Sequence, residues 1–182
     1  MNEINVNTIV VTDIYGKTPA LEELCSKLEG QVQIIDPYNG VFFKFFDEVE
    51  AYNYFKDVIG MNSYGILLKK AMLNQDKPFK MLGFSIGASA IWMNSQNKNL
   101  KYILSAECFY GSQIRNMTNI NPTFPITIVL PSKEEYFSID ELSEKLKEKS
   151  HVKIEKTIYL HGFMNRLSKN FNEYAYKIFL KS

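Results

Sequence analysis

Residues 79–90 read Phe-Lys-Met-Leu-Gly-Phe-Ser-Ile-Gly-Ala-Ser-Ala, an apolar run that leads through Gly83-x-Ser85-x-Gly87 into small residues. The apolar run predicts a buried β-strand, and the small residues after it predict a helix. A serine in a tight turn between strand and helix is typical of a nucleophile elbow, in which flanking glycines leave room for neighbouring elements. The alternative is a glycine-rich turn with a structural role only.

Short β-branched runs alternate with longer helical patterns on both sides of this segment, which indicates a parallel sheet covered by helices. The predicted strands are residues 9–12, 32–35, 79–83, 102–107, 126–130 and 152–160, and the predicted helices are 18–28, 48–70, 138–149 and 168–180. A break is expected between Gly60 and Gly65 of the second helix. The pattern predicts a doubly wound α/β sandwich, in which ligands bind beyond the carboxyl ends of the strands.

The composition excludes several classes of protein. The chain has 182 residues, 21 Lys+Arg against 20 Asp+Glu and a net charge of +1, so no nucleic-acid partner is expected. No apolar run approaches the roughly 20 residues of a membrane span, and residues 1–8 are too polar for a secretory leader. Cys25 and Cys108 form no metal spacing, so reduced thiols and a cytoplasmic location are expected. No linker or repeat divides the chain, which predicts one domain over residues 1–182.

One of the two histidines is placed to serve as a base for the serine. A serine nucleophile needs a base within hydrogen-bond reach, and at a nucleophile elbow that base comes last in the chain. His151 precedes the strand 152–160 and is expected at the opposite sheet edge from Ser85. His161 follows the same strand and is the predicted base, the alternative being a solvated loop histidine.

The acid that orients this base is expected after the preceding strand, in the loop 131–137. This loop contains two adjacent carboxylates, Glu134 and Glu135. Adjacent loop side chains point in different directions, so one is expected to face His161 while the other is solvated. The residues alone leave the choice between the two open.

The chemistry predicted for this group is acyl transfer, in which negative charge develops on a carbonyl oxygen. The helix that begins behind Ser85 directs its free amide groups toward that oxygen, which makes the Ile86 amide a natural donor. A second donor is expected from the loop after the first strand, where Ile14 is the candidate through its main chain.

The two arginines bear on the charge of the substrate. Only Arg115 and Arg166 are arginines, and both follow predicted strands on the presumed active edge. A guanidinium binds a carboxylate at two points, so a substrate that carries a carboxylate is one interpretation. The alternatives are a solvated Arg166 and an Arg115 that braces its own loop. The aromatic residues within 42–55 are expected to form core or lid packing, or to line an acyl pocket.

Several segments together resemble the dienelactone hydrolase family of α/β-hydrolases, over nearly the whole chain. The matching pieces are Val-Val-Thr-Asp-Ile-Tyr-Gly at 10–16, Ile-Asp-Pro-Tyr at 35–38, Gly-Phe-Ser-Ile-Gly at 83–87, Tyr-Gly-Ser-Gln-Ile-Arg at 110–115 and His-Gly-Phe at 161–163. The resemblance implies a three-layer α/β-hydrolase sandwich, here a minimal version with about six mostly parallel strands and no cap domain. It places the oxyanion amides on Ile14 and Ile86 and the base on His161. The family's acid lies two residues before a phenylalanine, a spacing that favours Glu135 before Phe137.

The resemblance also implies a serine hydrolase that cleaves a small ester, thioester or lactone without a metal or other cofactor. In the namesake enzymes arginines bind a substrate carboxylate, and a glutamate stands where this chain has Asp13, so Asp13, Arg115 and Arg166 are the candidate substrate-binding residues. Those enzymes have cysteine in place of Ser85 and aspartate in place of Glu135. These departures favour a general esterase or thioesterase over a lactonase.

Two other functions are alternatives to this one. A catalytically weak relative that binds a small ligand or a protein partner would also fit a trimmed scaffold. A nucleotide-binding module is disfavoured because residues 10–17 contain no Gly-x-Gly-x-x-Gly cradle. The expected partner is a small ester-type molecule, with no nucleic acid and no membrane, and the sequence leaves the oligomeric state open.

Overall fold

The computed structural model describes residues 6–180, so the start of the polar segment 1–8 lies outside the described residues. Its centre is a six-stranded sheet in the order β2-β1-β3-β4-β5-β6, in which all neighbouring strands pair in parallel. The strands are β1 (Asn7–Val11), β2 (Val32–Ile35), β3 (Phe79–Phe84), β4 (Ile103–Phe109), β5 (Ile126–Leu130) and β6 (Val152–Lys156). All six predicted strands are therefore present.

Helices cover both faces of this sheet. They are α1 (Pro19–Cys25), α2 (Glu48–Tyr54), α3 (Gly60–Leu73), α4 (Ile86–Asn94), α5 (Ile139–Lys147) and α6 (Glu173–Phe179), with a π-helical turn over Phe55–Ile59 and a 3-10 turn over Ser112–Asn116. The hydroxyls of Thr18 and Ser138 accept hydrogen bonds from the amides of Leu21 and Glu141, so both capped starts follow the sequence signals.

Several element boundaries differ from the sequence prediction. The last strand ends at Lys156 instead of at residue 160, so the segment that leads to His161 lies outside the sheet. The break in the second helical stretch falls on the π-turn and on Gly60, whose φ is +73°, while Gly65 lies inside α3. The last helix is shorter than expected and begins only at Glu173.

The core lies in two layers, one on each face of the sheet. The larger layer packs α3, α4 and α5 against the sheet and includes the fully buried Trp92 and Tyr64. The smaller layer packs α1 and α6 against the other face, around Phe109 and Phe163. This arrangement confirms the predicted three-layer α/β sandwich, and within the described residues there is no cap domain over it.

The strand order fixes where a site can form. From β1 the chain moves outward to β2 and then returns to place β3 on the other side of β1. The loops that leave β1 and β3 therefore diverge to opposite faces, which opens a crevice between their carboxyl ends. Val11 at the end of β1 pairs with Gly83 of β3, so the loop after Val11 lies beside Ser85.

The first turn of α4 packs directly on the end of β1. A methyl group added at Gly87 would lie 2.3 Å from the carbonyl oxygen of Val11 and 2.5 Å from that of Thr12. These obstacles are backbone atoms of the sheet, which cannot move without disturbing the strand. Glycine at position 87 is therefore a steric requirement of this contact.

We predict that Gly87→Ala destabilises the protein by about 1–3 kcal/mol or more, because an overpacked backbone contact has no easy relief. Gly65→Ala is the matched control within α3. There the nearest obstacle is the flexible tip of Met93, at 2.1 Å, and alanine gains about 1 kcal/mol of helix propensity over glycine. Urea unfolding measures both changes, and equal loss in the two variants would contradict the steric argument.

Candidate active site

Ser85 occupies the turn between β3 and α4 in a strained conformation. Its φ is +50° and its ψ is −111°, values that cost a non-glycine residue about 1–3 kcal/mol. The turn is held on both sides, since the Ser85 amide donates to the Phe109 carbonyl at 2.9 Å and its carbonyl accepts from the Ser89 amide at 3.1 Å. The surrounding structure therefore fixes the direction of the Ser85 hydroxyl.

His161 faces that hydroxyl. The Ser85 Oγ lies 3.1 Å from the His161 Nε2, although the residues are 76 positions apart. The imidazole packs against the ring of Tyr110, with centroids 4.9 Å apart, and the Asn170 side chain donates to the His161 carbonyl at 2.8 Å. His151 lies at the other end of the sheet, where its carbonyl accepts from the Ile126 amide at the start of β5.

The carboxylate beside His161 belongs to Glu134. Its Oε1 lies 2.7 Å from the His161 Nδ1, and its side chain is only 13% exposed. Glu135 is exposed to solvent, so the preference for it, which rested on the spacing to Phe137, is corrected by the geometry. The loop is tied to the segment after β6 by a hydrogen bond from the Ser132 amide to the Tyr159 carbonyl, and only the first of its two glutamates points inward.

The loop after β1 presents its main chain to the same edge. The Tyr38 hydroxyl donates to the Ile14 carbonyl at 2.7 Å, and the Asp13 Oδ1 accepts from the Tyr15 amide at 3.0 Å. The Ile14 peptide is thus held from both sides. Ile86 is the first residue of α4, so its amide has no acceptor within the helix.

Asp13 lies half-buried between the two loops. Burial raises the pKa of its carboxyl, while hydrogen bonds from the Tyr15 amide and the Asn165 side chain, together with the nearby His161, lower it. The carboxylate of Glu48 lies near enough to raise the same pKa, and with burial it also raises the pKa of Tyr15 to about 12. Burial outweighs the lowering contacts, so the pKa of the Asp13 carboxyl is raised overall.

The two arginines already have partners. Arg115 donates to the Ser112 carbonyl at 2.7 Å, and its guanidinium lies 5.0 Å from the centre of the Phe137 ring. The Arg166 guanidinium lies over Phe171 and Tyr176, with two carboxylates within 4 Å, those of Glu23 and Glu173. Both side chains brace loops and helices at this edge.

The aromatic stretch forms a cluster of its own. Tyr38, Phe43, Phe45 and Tyr54 are in mutual contact, with ring centroids 5.0–5.9 Å apart. Because the Tyr38 hydroxyl holds Ile14, this cluster supports the loop after β1. Phe42 and Phe46 of the same stretch are exposed.

A small cavity of about 20 Å³ lies beside Asp13, between α1 and the loop that carries His161. Its walls are mostly the apolar side chains of α1 together with Phe84, Tyr110 and Met164. A volume of this size holds a single water.

The next features are the candidate metal ligands and the two thiols of the described residues. Among residues 6–180, no group of three or more His, Cys, Asp or Glu side chains could hold a metal ion. Cys25 and Cys108 are buried and unpaired, and burial raises the pKa of the Cys25 thiol to about 11 and that of Cys108 further. In the same part of the chain, no helix has both the length and the apolarity to cross a membrane.

Sequence reasoning did not identify three residues of the site. Tyr110 packs on the imidazole with a φ of +41°, and Asn165 and Asn170 hold the loop of His161. The two asparagines follow His161 within nine residues, which was a usable signal because short polar side chains in a loop after a candidate base commonly fix its backbone. Tyr110 begins the matching segment 110–115, but that resemblance gave it no role in the site.

Comparison of the sequence with known proteins gives a partial match. No protein-family profile matches the sequence. The uncharacterized protein YczH of Bacillus subtilis is 35% identical over 103 residues, which cover 54% of this chain and 48% of that protein. The match thus spans about half the length of this curated relative.

Solved structures match over nearly the whole chain. A candidate dienelactone hydrolase from Klebsiella pneumoniae has a TM-score of 0.73 at 12% identity, over 98% of this chain and 84% of that one. A lipase-esterase related protein from Clostridium acetobutylicum has a TM-score of 0.62 at 12% identity, over 99% and 95%. The dienelactone hydrolase of Anabaena variabilis gives 0.62 at 10% identity, over 91% and 80%. The chain therefore has the α/β-hydrolase fold.

Proposed function

We propose that this protein is a serine hydrolase of the dienelactone hydrolase type, which cleaves a small ester, thioester or lactone through an acyl-enzyme. The observation that carries the proposal is the continuous chain of contacts from the Ser85 Oγ through His161 to Glu134, at 3.1 and 2.7 Å. Nucleophile, base and orienting acid are recognised by this geometry and not by sequence position.

The proposed mechanism requires one tautomer of the imidazole. Glu134 is an acceptor when ionised, so the His161 Nδ1 carries the hydrogen and the Nε2 is free to accept the proton of Ser85. As the Ser85 Oγ forms a bond to the carbonyl carbon, His161 takes its proton and then delivers it to the departing alcohol or thiol. Water, deprotonated by the same Nε2, then attacks the acyl carbon, and His161 returns the proton to the Ser85 Oγ as the bond between that oxygen and the acid breaks. The main-chain amides of Ile14 and Ile86 are the proposed donors to the oxyanion.

The binding-module alternative has two grounds, the trimmed scaffold and the doubtful position of the acid. Glu134 lies within hydrogen-bond distance of His161, which removes the second ground and supports the hydrolase. The departure from the namesake enzymes at position 85 still favours a general esterase or thioesterase. The expected reaction needs no cofactor.

The charge of the substrate can be argued from the surroundings of Ser85. Asp13 and Glu134 lie at this edge, and both arginines are engaged by rings and by carbonyl or carboxylate oxygens. We therefore propose an uncharged ester, and the substrate with a carboxylate, expected from the arginines, becomes the competing prediction.

The first prediction concerns the nucleophile. A fluorophosphonate probe should label the wild-type protein at Ser85, and Ser85→Ala should abolish both labelling and ester hydrolysis. Ser132→Ala, at an exposed serine of the Glu134 loop, is the control and should keep both. Mass spectrometry of the labelled peptide locates the adduct, and a folded wild type that takes no label would refute the proposal.

The second prediction separates the two glutamates. Glu134→Gln should lower kcat by about 10²- to 10⁴-fold, because an amide cannot hold the reactive tautomer of His161 in the same way. Glu135→Gln removes an exposed charge next to it and should leave kcat near the wild-type value. Steady-state hydrolysis of one ester measures both, and the opposite ranking would restore Glu135 as the acid.

The third prediction concerns substrate charge. Para-nitrophenyl butyrate and para-nitrophenyl hemisuccinate have acyl chains of similar length, and only the second carries a carboxylate. We expect a higher kcat/KM for the butyrate by about fivefold, roughly the 1 kcal/mol of one exposed like-charge contact.

Arginine variants decide between the two charge hypotheses. Arg115→Gln and Arg166→Gln should leave the ratio of the two esters unchanged. A preference for the hemisuccinate that disappears in either variant would establish the carboxylate-binding role instead.

A further inference from the structure

Two loops that meet at the site are joined by a pair of side chains that the proposed mechanism does not use. The Asn165 Nδ2 donates to the Asp13 Oδ2, across 152 positions of sequence. Asp13 directly precedes Ile14, the proposed oxyanion donor, and Asn165 lies in the turn that follows His161. The contact therefore connects the oxyanion loop with the loop of the base.

Each of the two side chains is also tied to its own loop. The Asp13 Oδ1 accepts from the Tyr15 amide at 3.0 Å, which fixes the backbone around Ile14. The Asn165 Oδ1 accepts from the Leu167 amide at 2.8 Å, which fixes the turn beyond His161. Since both ends are anchored, a shift in one loop is transmitted to the other.

The loop of His161 has particular need of such a tether. Strand β6 ends at Lys156, so no strand ladder extends to the imidazole. The Asn170 side chain donates to the His161 carbonyl and restrains the loop at the base itself. The contact between Asn165 and Asp13 ties the same loop to the loop after β1. Displacement of a catalytic group by about 1 Å can cost about 10²-fold in rate.

We propose that Asp13 and Asn165 form a clasp, a pair of positioning residues that holds the base and the oxyanion donor in register with Ser85. The proposal rests on the hydrolase function proposed above. It gives Asp13 a role in positioning, in place of the substrate contact expected from the sequence.

The single variants break the clasp in different ways. Asp13→Asn places an amide against the Asn165 amide, and Asn165→Asp places a carboxylate against the Asp13 carboxylate. In each case one hydrogen bond across the loops is lost. We expect kcat/KM for a neutral ester to fall by about 10–100-fold, mainly in kcat, while thermal unfolding shows that the variants are folded.

The exchanged pair provides the decisive variant. In Asp13→Asn/Asn165→Asp, the amide at position 13 can donate to the carboxylate at position 165, while the amide oxygen still accepts from Tyr15 and the carboxylate still accepts from Leu167. All three hydrogen bonds are thereby restored with the same net charge. We expect kcat/KM and its pH profile to return close to those of the wild type. Asn99→Asp, an exposed loop position, controls for the added carboxylate.

The results for these variants distinguish failure of the clasp from failure of the proposed hydrolase function. A folded exchanged pair that stays as slow as the single variants would overturn the clasp and indicate that a charge at position 13 is what matters. Folded single variants with wild-type kcat/KM would also overturn it. If the exchanged pair is unfolded, Asn165→Ala serves instead, and wild-type activity there would overturn the clasp. A wild-type protein without Ser85-dependent hydrolysis would instead refute the proposed function, and the clasp with it.

Discussion

The close contact between the first turn of α4 and the end of β1 sets the geometry of the whole active edge. Without a side chain at Gly87 the helix can approach the Val11 carbonyl, directly after the turn in which Ser85 has a positive φ. Val11 also pairs with Gly83 of β3, which places the loop after β1 beside Ser85. Backbone packing and strand pairing therefore fix the position of Ser85 relative to this loop.

The other half of the site depends on side chains. His161 and Glu134 follow β6 and β5, the outer strands of this side of the sheet, and lie in loops beyond the last strand pairing. The Asn170 side chain and the Tyr110 ring hold His161, and His161 in turn pairs with Glu134. The site thus combines a rigid half, formed by the central strands, with a half that individual polar contacts hold in place.

This division explains which features the sequence could predict. A backbone constraint leaves a pattern of required residue types, so the glycines around Ser85 could be identified, and the alternation of strands and helices was sufficient for the sheet. The choice between Glu134 and Glu135 depended instead on which way one loop residue turns. Spacing to Phe137 gave the wrong answer, because that ring packs under Arg115 and does not determine the direction of its neighbours.

The role of the two arginines was also beyond what the sequence could predict. Residue type and loop position made Arg115 and Arg166 equally good carboxylate binders, since a guanidinium is suited to that task wherever it is free. Here both guanidiniums lie over aromatic rings, Arg115 donates to the Ser112 carbonyl, and Arg166 lies 3.6 Å from a Glu23 carboxylate oxygen. These oxygens compete with a substrate carboxylate for the guanidinium donors, and residue type and loop position do not reveal them. The carboxylates of Asp13 and Glu134 at the same edge are likewise held by residues far apart in the sequence, Asn165 and His161.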